Sequence, residues 1–152
     1  MKQESGRSLI ETIGVMAIAG MMMVGTIAAY NMIRSNQTRT IASAELDKIV
    51  EDTKILMEMR GTYEGISIDY LIKAGALKND RAPIGGANWS IDASADGQTF
   101  AINLVDLTVG ECEFFAEKKP KWANAMLING FETGQTSNCF DSGTNQISFI
   151  VE

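Results

Sequence analysis

Glu11 is the side chain whose position most needs a chemical reason. It stands at the start of a long apolar run, where an ionisable group costs about 2.5–3.5 kcal/mol at mid-bilayer depth and usually marks function. A carboxylate there can do one thing well, which is to meet a cation in a low-dielectric setting. Such a pair attracts far more strongly than in water, although desolvation takes back much of the gain, so it sets register better than it adds stability. A second reading stands beside it. Ser8-Leu9-Ile10-Glu11 has the S-x-x-E pattern of a capping box, which satisfies two orphan amides at a helix start.

Other reactive residues are sparse. The chain has no histidine, so the commonest general base is missing. It has no G-x-S-x-G, no phosphate-binding loop and no paired acids beside a cleft signal. We therefore expect no catalytic residues, no enzymatic activity and no cofactor. The two cysteines, Cys112 and Cys139, are too few without histidine for a metal site. Asp141-Ser142-Gly143-Thr144-Asn145 offers oxygen ligands but lacks the acid count and spacing of a calcium loop, and reads as a turn. Lys118, Lys119 and Lys121 beside Trp122 form a basic cluster. Its position at a helix end points to complementation of the helix dipole rather than to a nucleic-acid or lipid patch.

The element that carries Glu11 is the stretch from Gly6 to Ala29. Ile13 to Ala29 is uncharged, and with the residues back to Leu9 it is long enough to cross a bilayer of about 30 Å as a helix. Gly14, Gly20 and Gly25 weaken a helix in water but let helices approach closely in lipid, and Met16, Met21, Met22 and Met23 can fill irregular gaps between them. No proline or glycine follows from Thr26 to Arg60, so the helix is expected to run on from about Ser8 to Arg60, roughly 80 Å at 1.5 Å per residue. Ala42, Leu46, Ile49, Thr53 and Leu56 make its core-facing stripe, and Gly61 is a natural stop.

A polar leader ending in Gly6, then Arg7, Ser8, Leu9, Ile10 and Glu11 at the fifth position of an apolar helix, resembles the signature of type IV pilins and pseudopilins. The resemblance implies a fold: α+β, a long N-terminal helix running from membrane to periplasm, packed on a small antiparallel sheet. It divides the chain into a leader (1–6), the transmembrane and assembly half of the helix (7–30) and a soluble head (31–152). It implies cleavage between Gly6 and Arg7 by a prepilin peptidase on the cytoplasmic side, methylation of the new amine, and retention of the apolar helix, unlike a secretory signal peptide. Arg7 departs from the apolar residue usual there, and no proline stands near Ala28. Glu11 would then attract the N-terminal amine of a neighbouring subunit during assembly.

The partners implied are copies of the chain and other pilins in a filament, the peptidase, an inner-membrane assembly platform and membrane lipid. The location implied is the inner membrane before assembly, then an extracellular or periplasmic filament. An exported domain with two cysteines reads as one disulfide, Cys112–Cys139, which resembles the C-terminal disulfide region of type IVb pilins. The alternatives to a pilin are a secretion pseudopilin and a membrane-anchored binding domain that never polymerises.

The remainder reads as a small α+β domain. Ile68–Ala74 is a short helix, Leu77–Ala87 a loop, Trp89–Ala93 and Thr99–Val105 a hairpin, Thr108 or Gly110 to Lys118 a helix, and Ala125–Ile128 a strand. Asn129–Asn145 is expected as loop, and Ile147–Val151 as a central strand. The net charge of −6 lies wholly from Arg34 onward, where eleven basic residues face seventeen acidic ones. So acidic a domain argues against nucleic acid as a direct partner.

Overall fold

A computed structural model describes residues 9–132, 138–141 and 144–152, with side chains of the first helix from Thr12 onward. Helix α1 spans Leu9–Glu58, as the absence of breakers requires. The chain divides into two units between Thr38 and Arg39. In the first, every described side chain but that of Ser35 is exposed. Three of its hydroxyls turn back on their own helix: Thr26 Oγ1 donates to the Met23 carbonyl at 2.9 Å, Ser35 Oγ to Met32 at 3.0 Å and Thr38 Oγ1 to Arg34 at 3.0 Å. These groups therefore ask nothing of the surroundings, as residence in lipid demands.

The second unit holds the rest of α1 and the α+β domain. After α1 come α2 (Ile68–Lys73), β1 (Ser90–Ala93), β2 (Phe100–Leu107), α3 (Val109–Glu117), β3 (Ala125–Ile128), β4 (Phe131–Glu132) and β5 (Asn145–Val151). The strands form one sheet in the order β1-β2-β5-β3-β4, with every pair antiparallel. The closing strand is central, as its apolar density predicts. Ala42, Leu46, Ile49 and Thr53 of the helix stripe are buried, but Leu56 is only half-buried and Met57 takes the core position instead. The reason is helical drift: at 3.6 residues per turn the position after Thr53 on one face falls nearer 57 than 56.

Alternation fixes the sheet face. Ile91, then Phe100, Ile102 and Leu104, then Met126 and Ile128, then Ile147, Phe149 and Val151 all point into the core. Phe149 takes Phe115 and Trp122 edge-on at 5.5 and 5.2 Å between centroids. Helix α3 begins on a capping box, Thr108 with Glu111. Gly85 and Gly86 press on β2, where a Cβ on Gly85 would meet the Val105 carbonyl and one on Gly86 the Asp106 side chain. The loop before β1 is pinned further by Trp89 Nε1, which donates to the Asp80 carbonyl at 2.6 Å.

Two short elements differ from expectation. Residues 129–145 are not all loop: β4 pairs with β3, and β5 starts at Asn145 rather than Ile147. Asn145 is fully buried and is the polar hub of this end of the sheet. Its Oδ1 accepts from Asn129 Nδ2 at 2.9 Å and from the Phe140 amide at 2.6 Å; its Nδ2 donates to the carbonyls of Phe140 at 2.9 Å and Leu107 at 3.3 Å. All four hydrogen-bonding positions of the amide are thus used. The hub lies next to the disulfide Cys112–Cys139, whose 27-residue separation corresponds to about 3–4 kcal/mol of stabilisation on the chain-entropy account.

The turn between β1 and β2 is set by Ser94, Asp96 and Gly97. The Ser94 hydroxyl, and after it the Gln98 amide, hold the Asp96 carboxyl below the usual carboxylate range. A depressed folded-state pKa contributes stability that is present at neutral pH and fades as pH falls through that pKa, below about pH 4. Ser94→Ala should bring the Asp96 titration, followed by NMR, back up to the ordinary carboxylate value; an unmoved curve would reject the hydroxyl as its cause. Asn145→Leu should lower stability by about 2–4 kcal/mol in denaturant unfolding, since it strands buried polar groups on three segments.

Candidate functional site

The apolar helix is the first candidate. From Ile13 to Ile33 its large side chains are exposed on every side of the helix: Met16 is 72% exposed, Met21 77% and Val24 71%. Nothing lies within 4 Å of where a Cβ would stand on Gly14, Gly20 or Gly25. The helix is long and apolar enough to cross a membrane by length and composition. Its backbone passes through Glu11. The Glu11 side chain, Gly6, Arg7 and Ser8 lie outside the described residues, so both readings of Glu11, cap and register partner, pass to the proposal below.

The disulfide is the second candidate, and the structure joins the two cysteines that the sequence pairs. Cys112 is fully buried on α3 and Cys139 half-buried against the core. Part of the oxygen-rich turn, Ser142 and Gly143, lies outside the described residues. Its last residue, Asn145, spends its amide on the hub. Among the described residues no group of three metal-ligating side chains comes together.

The lysine cluster is occupied locally. Lys118 is the C-cap residue of α3 and its Nζ lies 5.3 Å from the centroid of the Phe114 ring, while Lys119 Nζ donates to the Asn124 carbonyl at 2.7 Å. The cluster thus secures the passage from α3 to β3.

Sequence reasoning missed a groove of about 680 Å³ in the second unit. The floor is Val50, Met57, Tyr63 and Trp122, and one wall is the α1 face with Asp47, Glu51, Lys54 and Glu58. The other wall is Gly97 and Gln98 of the β1–β2 turn. Its walls are tied together: the Tyr63 amide donates to the Gly97 carbonyl at 2.8 Å and Thr62 Oγ1 to the same oxygen at 3.2 Å. A Cβ on Gly97, which has φ +66°, would run into Thr62 Oγ1. The Tyr63 ring packs on Phe100 at 4.7 Å, and burial pushes its hydroxyl above the usual phenol range. No local pattern marks this site, because three separate stretches of chain build it. The available signal was the acid spacing at 47, 51 and 58 on one helix face.

The sequence matches no family model and no curated protein. Among solved structures the fold is similar to the crystal structure of TcpA, a type IV pilin from Vibrio cholerae El Tor biotype, with a TM-score of 0.59 and 14% identity. The match covers 76% of this chain and 99% of that one. A long N-terminal helix, a five-stranded antiparallel sheet and one disulfide thus make a domain with the fold of a type IV pilin.

Proposed function

We propose that this chain is a prepilin, the structural subunit of a type IV pilus-like filament. It is cut after Gly6 by a prepilin peptidase and polymerises through its N-terminal helix with copies of itself and other pilins. The observation that carries this reading is an apolar helix, exposed all round over residues 12–33, on a chain whose soluble part has a pilin fold. Such a surface needs lipid first and other helices afterwards. The division into leader (1–6), assembly segment (7–30) and head (31–152) belongs to the same proposal.

The mechanism is mechanical rather than catalytic. While the subunit waits in the inner membrane, lipid covers the helix. When it joins the filament through the assembly platform, neighbouring helices replace lipid, and the small residues at Gly14, Gly20 and Gly25 allow their close approach. Glu11 is drawn to the amine at Arg7 of a neighbour. Two charges meeting in low dielectric penalise any register that leaves one of them unpaired, which fixes the axial position of each incoming subunit.

Two substitutions test the reading separately. Replacing Gly6 by leucine should leave only full-length precursor in membranes, and mass spectrometry showing the shortened N-terminus would count against the cleavage site. Glu11→Ala should be cleaved and should fold, yet reduce filament yield about tenfold or more, because one buried charge loses its partner. Undiminished filaments by electron microscopy would sink the register role.

A further inference from the structure

The groove beside α1 has the makings of a recognition site, and it is lined by residues of the second unit alone, so it does not rest on the filament reading. Its volume of about 680 Å³ is that of a pocket for a small ligand or a few peptide side chains. Val50 and Met57 are 3% and 2% exposed, so the floor is made of core side chains that cannot move aside. Ile55, which also lines the groove, is 59% exposed and has little protein around it. Trp122 is braced edge-on by Phe149 and Tyr63 by Phe100, so two aromatic rings are held in place before anything binds.

The charges give the polarity of the occupant. Asp47, Glu51 and Glu58 line the α1 side against a single Lys54. Among the described residues none of these four makes an ion pair or a side-chain hydrogen bond. An excess of uncommitted carboxylates over an apolar, aromatic floor fits a cationic and partly apolar partner.

Spacing separates a compact cation from an extended one. At 1.5 Å rise per residue, Asp47 and Glu51 stand about 6 Å apart along the helix, and Glu51 and Glu58 about 10 Å. One ammonium group can sit between Asp47 and Glu51 but cannot also reach Glu58. An extended chain advances about 3.3 Å per residue and alternate side chains share one face, so basic residues at every second position stand about 6.6 Å apart along the acidic row.

We infer that this groove binds a short, extended segment of a different polypeptide in which basic residues alternate with apolar ones. Among its described residues, a second copy of this chain does not supply such a segment. Its run Lys118–Lys121 leads straight into Trp122, which is already committed to the groove floor. Lys73 and Lys78 enclose apolar residues, but Lys73 ends α2 and the chain turns at Gly75, with φ +81°. Lys78 and Arg81 enclose Asn79 and Asp80 instead of apolar residues, and Arg34, Arg39, Lys48 and Lys54 are fixed in α1.

The test uses the full chain in a neutral maltoside detergent. The probe is a fluorescent, end-blocked hexapeptide of lysine, leucine, lysine, phenylalanine, lysine and leucine, followed by anisotropy. A counterpart with glutamate for lysine is the control, and spermidine is the competitor. The basic peptide should bind with an affinity that falls as salt rises, and the acidic one should not bind. The double variant Glu51→Gln, Glu58→Gln changes only exposed side chains and should melt like the parent, yet weaken binding about tenfold or more. Failure of the basic peptide to bind, equal binding of both peptides, or equal binding to parent and variant would overturn the proposal. Spermidine displacing the peptide at concentrations comparable to the peptide's own affinity would overturn it too, by showing a simple polyamine site.

Discussion

An apolar helix with no apolar neighbour is the constraint from which the rest follows. The twelve large apolar side chains from Ile13 to Ile33 stand 58–77% exposed. Each is worth about 1.5–3 kcal/mol when taken fully out of water, and a whole domain is stable by only about 5–15 kcal/mol. No rearrangement of the head could offset that exposure, so the helix must be covered by lipid or by other helices. The Thr26 hydroxyl already satisfies itself along the backbone, which leaves packing as the main interaction on offer over that stretch. A surface of that kind selects partners by shape. On the proposed reading, Glu11 near its start would then select register.

The second unit answers a different demand, which is to hold one structure by its own contacts. The polar hub at Asn145 and the disulfide Cys112–Cys139 close one end of the sheet. Between them they join the end of β2, the β3–β4 turn, α3 and the segment at Phe140. At the other end, the Tyr63–Gly97 and Ser94–Thr99 hydrogen bonds hold the β1–β2 turn against the residues that follow α1. The groove lies at this second end, where the sheet meets α1 without a covalent tie.

Much of this architecture was legible in the residues. The unbroken run from Thr26 to Arg60 gave the long helix, and the alternation of Phe100, Ile102 and Leu104 gave β2. The apolar density from Ile147 to Val151 placed β5 at the centre of the sheet. Asn145 was misread because an asparagine in a polar loop and one buried in a saturated network look alike in composition. A signal was nevertheless present: Asn145 shares the parity of Ile147, Phe149 and Val151, so it occupies an inward position on the strand. The two-residue β4 has no such signal and exists only through its pairing with β3. The groove depends on segments far apart in the chain, and tertiary assembly alone brings Tyr63, Gln98 and Trp122 to the face of α1.

The sheet edges bear on why assembly would run through a helix at all. A domain with a five-stranded open sheet has two edges, and unpaired backbone groups on either can capture another chain. Here β4 offers two residues, too few for a stable ladder, and β1 offers four. On β1 the exposed Asp92 accepts from Ser90 Oγ at 2.5 Å and from Asn103 Nδ2 at 3.0 Å, so a charged, internally bonded cluster sits beside the free edge. A strand approaching there would have to desolvate that carboxylate for only four residues of pairing. Edge-to-edge association is therefore disfavoured on both sides, while the exposed apolar helix offers more than twenty residues for packing. The difference between the two surfaces is what would direct such a subunit toward helix-packed assembly and away from sheet growth.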